Sequence, residues 1–270
     1  MAVNKVEING EVKLDLTQDT VTPATLLKGA SAHDAAGNLV QGIANAAPTT
    51  PYMEAEYVAV EDGGITSHYI KRAKLYNHTA IYTNEFSGQT KLQNLDFSDA
   101  SNNITVIESN AFEYALVDGL VLPNTISVLG PACFATAYIT TLTIPPLVTV
   151  LPIQAFSYIQ PVYNTETGEE FPINIILPQN LTKIGEGCFS GAPIKQITIP
   201  DTVTEIGDAA FVLCMQLESI TCLAATPPVI GPSTLDTDTA VFTIKVPAAS
   251  VAAYKAATNW SSYADYIVGV

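Results

Sequence analysis

The side chains able to do chemistry are few in this chain of 270 residues. Its thiols are Cys133, Cys188, Cys214 and Cys222, and its imidazoles are His33, His68 and His78. A nucleophilic thiolate needs a base or a positive neighbour, and a metal site needs ligands at short, regular spacing. No cysteine here lies close in sequence to a histidine, and no such spacing occurs. Gly185-Glu-Gly187-Cys-Phe-Ser-Gly191 has the glycine content of a loop that could hold a phosphate on its backbone N–H groups. Asp236-Thr-Asp238 could offer carboxylates to calcium, but that ion takes roughly six or more oxygens, so two acids in a turn are weak evidence for a site. The expectation is a non-enzymatic protein without cofactor or metal.

Composition narrows the partners. There are 26 acidic and 11 basic residues, a net charge of −15, so a polyanion such as nucleic acid would be repelled. Hydrophobic residues make up 48%, enough for a sizeable core and too many for a disordered chain. No run approaches the ~20 apolar residues of a membrane helix, so no insertion is expected. Met1-Ala-Val-Asn-Lys5 leads into polar sequence, so no secretory signal is expected either.

The elements that must position any site are organised by a repeat. Phenylalanines fall at Phe112, Phe134, Phe156, Phe189 and Phe211, with spacings of 22, 22, 33 and 22. Pro123, Pro145, Pro178 and Pro200 follow the same ruler, with spacings of 22, 33 and 22. Both markers stretch at one place, so one unit carries an 11-residue insertion. Ile126-Ser-Val-Leu-Gly130 leads to Ala132-Cys-Phe134 and then Ile139-Thr-Thr-Leu-Thr-Ile-Pro145. Leu181-Thr-Lys-Ile-Gly185 and Val203-Thr-Glu-Ile-Gly207 open two further units of the same design. Alternation over four to six residues reads as a half-buried strand, and proline stops it because it cannot donate to the ladder. A unit of 22 residues cannot close a core alone; stacked coils can, each ring lying on the next.

The repeat also reinterprets the chemical candidates. Cys133 and Cys188 share a slot with Ala111, Ala155 and Ala210, immediately before the ring, so they read as small core residues. Gly185 has counterparts at Gly130 and Gly207, which favours a turn over a nucleotide site.

These Ile-Gly…Ala-Phe…Leu-x-x-Ile-x-Ile-Pro units, over about 104–223, resemble the BspA-like leucine-rich repeats of bacterial surface and host-contact proteins. A more divergent coil is expected around Phe86-Ser-Gly…Leu92-x-x-Leu95-x-Phe97. The resemblance implies recognition or adhesion rather than catalysis. The expected fold is mainly β: a solenoid of 22-residue coils, preceded by a small module containing a β-hairpin and closed by a C-terminal helical cap. The Ala-rich residues 248–258, with Val251 and Tyr254 on one face, supply the helix.

Residues 1–45 ignore the ruler. Asn9-Gly10 between Val6-Glu-Ile8 and Val12-Lys-Leu-Asp-Leu16 is a strong hairpin signal. Thr22 to Gly29 reads as a short helix, Ala32 to Asn38 as a turn, and the Pro- and Ala-rich residues 46–51 as a linker. Val12-Lys-Leu-Asp-Leu-Thr17, Asp19-Thr-Val-Thr22, Leu26-Leu-Lys-Gly29, Ala32-His-Asp34 and Gly37 resemble a small module of bacteriophage and prophage tail and baseplate proteins. That resemblance implies a virion protein assembled in the host cytoplasm: a tail tip, baseplate or side-fibre component. It would contact other virion proteins through residues 1–45, as a homo-oligomer and specifically a trimer. A bacterial adhesin and a capsid or collar decoration are the alternatives. The domain reading is 1–45 attachment module, 46–51 linker, 52–103 N-terminal cap and first coil, 104–223 solenoid, and 224–270 C-terminal cap.

Two surfaces could meet a host glycan or protein. If Leu142 and Ile144 point inward, alternation turns Thr141 and Thr143 outward, and equivalent positions give Asn174, Gln196, Thr198, Ser219 and Thr221. Such a row equally suits a solvated sheet. The insertion, with Tyr158, Tyr163, Glu166 and Glu169, is expected to project as a hairpin, either as a binding loop or as a tolerated excursion.

Overall fold

The computed structural model describes residues 51–62, 65–117, 119–163, 167–171, 173–235 and 242–270, and the backbone of four strands before them. The chain forms two units, Met1–Tyr52 and Met53–Val270. In the first, β1 (Lys5–Ile8) pairs antiparallel with β2 (Glu11–Asp15) around the expected Asn-Gly turn position, with a register shift after Val6. β3 (Ser31–His33) pairs with β1 and with β4 (Leu39–Gln41), completing a four-stranded sheet. Ala32 and His33 were expected in a turn; antiparallel pairing of Ala32 with Val40, and of His33 with both Lys5 and Leu39, makes them strand instead. The helix expected at Thr22–Gly29 and the linker at 46–51 fall almost wholly outside the described residues.

The second unit is a parallel β solenoid. One row of two-residue strands runs Ala80–Ile81, Val106–Ile107, Val128–Leu129, then Val150–Leu151, Lys183–Ile184, Glu205–Ile206 and Val229–Ile230. A second row of longer strands includes Thr141–Thr143, Asn174–Ile176, Gln196–Ile199, Ser219–Cys222 and Thr243–Val246. In both rows alternate apolar residues face in: Leu142, Ile175, Ile197, Ile220 and Ile244 are all buried.

Between the rows, each coil turns through its phenylalanine. Phe86, Phe112, Phe134, Phe156, Phe189 and Phe211 form one column, with ring centroids 5.1–5.4 Å apart and planes within 11° of parallel. Centroid distances this long between parallel rings mean offset stacking, the favourable geometry. Every ring is buried, and each contributes roughly 1.5–3 kcal/mol before entropy. Phe86 brings the divergent coil into the same column. The slot before each of the last five rings holds buried Ala111, Cys133, Ala155, Cys188 and Ala210, as the repeat predicted, whereas Glu85 precedes Phe86.

The turn around each ring shows a feature that the alternation pattern hid. Residues two before and two after the ring have positive φ: Ala132 (53°) and Thr136 (55°) around Phe134, Gln154 (56°) and Tyr158 (51°) around Phe156, Ala209 (53°) and Leu213 (59°) around Phe211. Each twist aims N–H groups at the next coil. Phe134 donates to the Ala155 carbonyl at 2.9 Å, Phe156 to Cys188 at 2.8 Å and Phe189 to Ala210 at 2.8 Å. This inter-coil ladder satisfies backbone that would otherwise be buried unpaired. Gly130, Gly185 and Gly207 have a different reason: a Cβ there would lie 2.5–2.6 Å from the backbone of the preceding coil.

Both ends are closed. At the N-terminal end a long hairpin, Tyr52–Asp62 with Ile65–Tyr76, joins the solenoid where Arg72–Lys74 pairs parallel with Asn94–Asp96. Buried His78 fastens this region: its Nδ1 lies 2.9 Å from the Tyr76 carbonyl and its Nε2 2.9 Å from Glu85 Oε1. At the C-terminal end the expected helix spans Val251–Ala256. Tyr254 Oη donates to the Ala224 carbonyl at 2.9 Å and Trp260 Nε1 to Pro228 at 2.7 Å, so two large rings seal the last coil. The cap also adds a parallel strand, Ile267–Gly269, which the alanine-rich pattern had not revealed.

Candidate binding surface

The outward row is real for most of its expected members. Thr141, Thr143, Asn174, Gln196 and Thr198 are exposed. Registers align Thr141 with Asn174 and Gln196 with Ser219, so the residues stand side by side on parallel strands. Ser219 is a correction: it is only 5% exposed. It stands between Gln196 and Thr243 on the flanking strands, and a single hydroxymethyl group is overhung by longer neighbours. Thr221, between Thr198 and Lys245, is half-buried.

The row is also discontinuous. Thr141–Thr143 and Asn174–Ile176 form one two-stranded sheet, and Gln196–Ile199 begins another of four strands. Residues 119–122, the equivalent segment one coil earlier, make no strand, and Val121 is 81% exposed. Open grooves lie at the breaks, one lined by Val121, Thr141 and Thr143, another by Asn174, Gln196 and Thr198.

The insertion projects as a hairpin stem. Tyr163 bridges antiparallel to Glu170, and Phe171 N–H donates to the Val162 carbonyl at 2.8 Å. Tyr163 Oη donates to Glu170 Oε1 at 3.2 Å, and that carboxylate pushes the phenol's pKa up by disfavouring a phenolate. Glu169 is exposed beside Thr167, whose hydroxyl lies 3.4 Å from it. Glu166 lies outside the described residues, as do Asp236 and Asp238. Tyr158 sits elsewhere: it belongs to the positive-φ turn, and its ring covers Gly191 so closely that a Cβ there would lie 2.5 Å from it. The last glycine of the suspected phosphate loop therefore serves packing.

Where the hairpin re-enters the coil, Pro161, Glu170, Phe171, Ile173, Pro193, Lys195 and Gln216 line a recess of about 210 Å³. It adjoins the outward row directly, since Ile173 precedes Asn174 and Lys195 precedes Gln196. An exposed aromatic ring, a carboxylate, an ammonium and an amide converge there. Tyr163 reaches the recess through its hydrogen bond to Glu170. Phe171, Lys195 and Gln216 were missed because nothing periodic marks them; Phe171 breaks the ruler that made the other rings legible.

The thiols are chemically quiet. Cys133 and Cys188 are fully buried and burial drives both pKa values far up; burial also pushes Cys222 to about 12. Cys214 Sγ lies 3.0 Å from the Phe189 carbonyl, inside the core. All four are free cysteines.

This architecture, a stack of ring-bearing parallel coils, defines a leucine-rich-repeat protein. Residues 67–163 and 171–250 match the BspA type leucine rich repeat region in six copies, and the chain belongs to that family. No match to a curated protein was found. A leucine-rich repeat protein from Bacteroides ovatus is similar over 72% of this chain and 70% of its own, at 14% identity and a TM-score of 0.40. A leucine rich cell surface protein from Faecalibacterium prausnitzii is similar over 62% of this chain and 57% of its own, at 19% identity and a TM-score of 0.31.

Proposed function

We propose that this protein is a non-enzymatic virion component that displays its repeats to recognise a host surface, with residues 1–45 attaching it to the particle. The observation that carries recognition is the placement of the insertion. The 11-residue insertion raises a hairpin with exposed Tyr163 and Phe171 beside a recess, next to a row of exposed hydroxyl and amide side chains. Rigid scaffolds commonly carry binding residues on such excursions. Hydroxyls and amides donate and accept, and aromatic faces cover apolar ring surfaces, so a glycan or a protein loop fits this surface. Among the described residues the recess is lined by one carboxylate, Glu170. The attachment role rests on the sequence resemblance of residues 1–45 to phage tail and baseplate modules.

The test has two parts. Fluorescent full-length protein should bind intact host cells or their walls, and Phe171→Ala with Glu170→Gln should abolish binding without lowering the melting temperature. Unchanged binding in that double variant refutes the surface. Mass spectrometry of purified particles should find the chain; finding it only in the bacterial envelope replaces the virion reading with that of a bacterial adhesin.

A further inference from the structure

The surface just past the ring column carries tyrosines where other faces carry charge. The residue two beyond each ring sits in a left-handed turn, and bonds from coil to coil keep these positions in file. Tyr114 N–H donates to the Ala135 carbonyl at 3.2 Å, Thr136 to Ser157 at 2.8 Å and Tyr158 to Ser190 at 2.7 Å. Two residues further on, Leu116, Tyr138 and Gln160 bridge in parallel on successive coils. Tyr114 (53%) and Tyr158 (47%) are exposed, and Tyr138, on the coil between them, is half-buried. Tyr158 lies across Gly191 of the next coil, so part of its ring rests on backbone and the remainder meets solvent. This strip runs into the recess: Pro161 follows Gln160, and Pro193 holds the equivalent place in the next coil. Glu170 chiefly, and Tyr138 more weakly, hold the Tyr163 phenol above its ordinary pKa, which puts Tyr138 beside the hairpin.

Charge and periodicity select the ligand. Residues 135–138, 157–160, 190–193 and 212–216 hold no charged side chain, although the chain carries 26 acids and 11 bases; Glu113 borders the strip beside Tyr114. On the other side of the rings the coils carry Glu108, Glu186 and Asp208. A net charge of −15 repels a polyanion, and a polycation would settle on those acids instead. An uncharged partner remains. Protein interfaces centre on a few large anchors that fill pockets, whereas these rings recur with the coil. A linear glycan recurs in the same way. Each pyranose has a C–H face that lies on an aromatic ring and hydroxyls that bond phenol and amide groups. Each sugar of an extended chain also advances by nearly one coil, and the stacked phenylalanines stand 5.1–5.4 Å apart.

Building on the recognition reading above, we propose that this strip is the track of a linear, uncharged host-surface glycan, laid along the solenoid axis with one sugar to each coil and its end in the recess. The test applies fluorescent full-length protein to host cells left intact, oxidised with periodate, which cleaves the vicinal diols of sugars, or stripped with protease. Periodate should abolish binding and protease should spare it. Added salt should leave it unchanged, since no charges are matched. Tyr114→Asn and Tyr158→Asn keep residues that accept the left-handed backbone; each should weaken binding about 2–10-fold at an unchanged melting temperature. No binding to intact cells refutes host recognition altogether, and the track with it. Binding that survives periodate, falls to protease, weakens with salt or ignores the tyrosine substitutions overturns the glycan track alone.

Discussion

The turn side of the solenoid and its long-strand face belong to the same coils yet obey different rules. On the turn side each ring-bearing coil supplies a ring and two left-handed residues, five of the six place Ala or Cys before the ring, and the ring spacing varies by only 0.3 Å along the column. On the long-strand face the ladder breaks, one coil admits eleven extra residues, and outward positions hold Thr, Asn, Gln or Ile in turn. The cause is burial. A ring in the column touches both neighbouring coils, so its size is dictated twice; an outward side chain has water on one side and is dictated by little. A surface free to vary at no cost to the core is where binding specificity can be written.

Truncating a ring on each side should give the widest contrast. Phe134→Ala opens a cavity between Phe112 and Phe156 and should cost about 3–5 kcal/mol. Phe171→Ala, at an exposed ring, should change stability by less than about 0.5 kcal/mol. Chemical denaturation of both variants measures the difference, and equal losses would erase the distinction. Gly207→Ala comes next. Its new methyl would sit 2.5 Å from the Glu186 backbone nitrogen, and overpacking of this kind costs about 1–3 kcal/mol. Thr143→Ala on the long-strand face should stay within about 0.5 kcal/mol. A Gly207→Ala protein as stable as its parent would mean that the coils can part without penalty.

The same contrast explains what the sequence made legible. Phe and Pro recur because the column and the strand ends demand them, so their spacing disclosed the coil, the insertion and the Ala/Cys slot. The left-handed pairs stayed hidden because Ala132, Gln154 and Leu213 fill positions that Gly88, Asn110 and Gly191 fill elsewhere; aligned across coils, those Asn and Gly residues are the signal. Ser219 was misplaced because alternation gives a side chain's direction and says nothing of the height of its neighbours. The recess escaped because an irregular excursion brings Glu170 and Phe171 beside Lys195 and Gln216, which stand on successive coils. The N-terminal hairpin escaped too, since it lies outside the periodic region.

A substitution of opposite sign on the two sides tests the backbone account. Thr136 is β-branched with φ of 55°, a conformation that costs an L-residue roughly 1–2 kcal/mol. Thr136→Gly should therefore raise stability, by about 0.5–1 kcal/mol once the added freedom of the unfolded chain is subtracted. Thr143→Gly, in a strand, should lower it by about 0.5–1 kcal/mol. Thermal melts of the pair should move apart; parallel shifts would show that the left-handed turn carries no strain.

The smallest effect concerns acid, at the end of the long-strand row nearest the N-terminal cap. Asp96 and Asp99 accept hydrogen bonds from Ser98 and Ser101 N–H at 2.8 and 2.9 Å, and these bonds, with the side-chain bonds from the same serines, hold both carboxyls below their ordinary value of 3.8. A carboxyl depressed in the folded state stabilises it above the unfolded pKa, and that contribution fades as pH falls through the folded pKa. Both groups are only half-buried, so solvent still screens them. Between neutrality and about pH 5 the Asp96→Asn, Asp99→Asn double variant should therefore melt at a constant small interval below the parent. Below about pH 4 the interval should close, because the parent's carboxylates then take up protons and lose the advantage. An interval that persists into acid would mean that the two turns are held by shape alone, and that the long-strand face draws nothing from charge even where its backbone turns tightest.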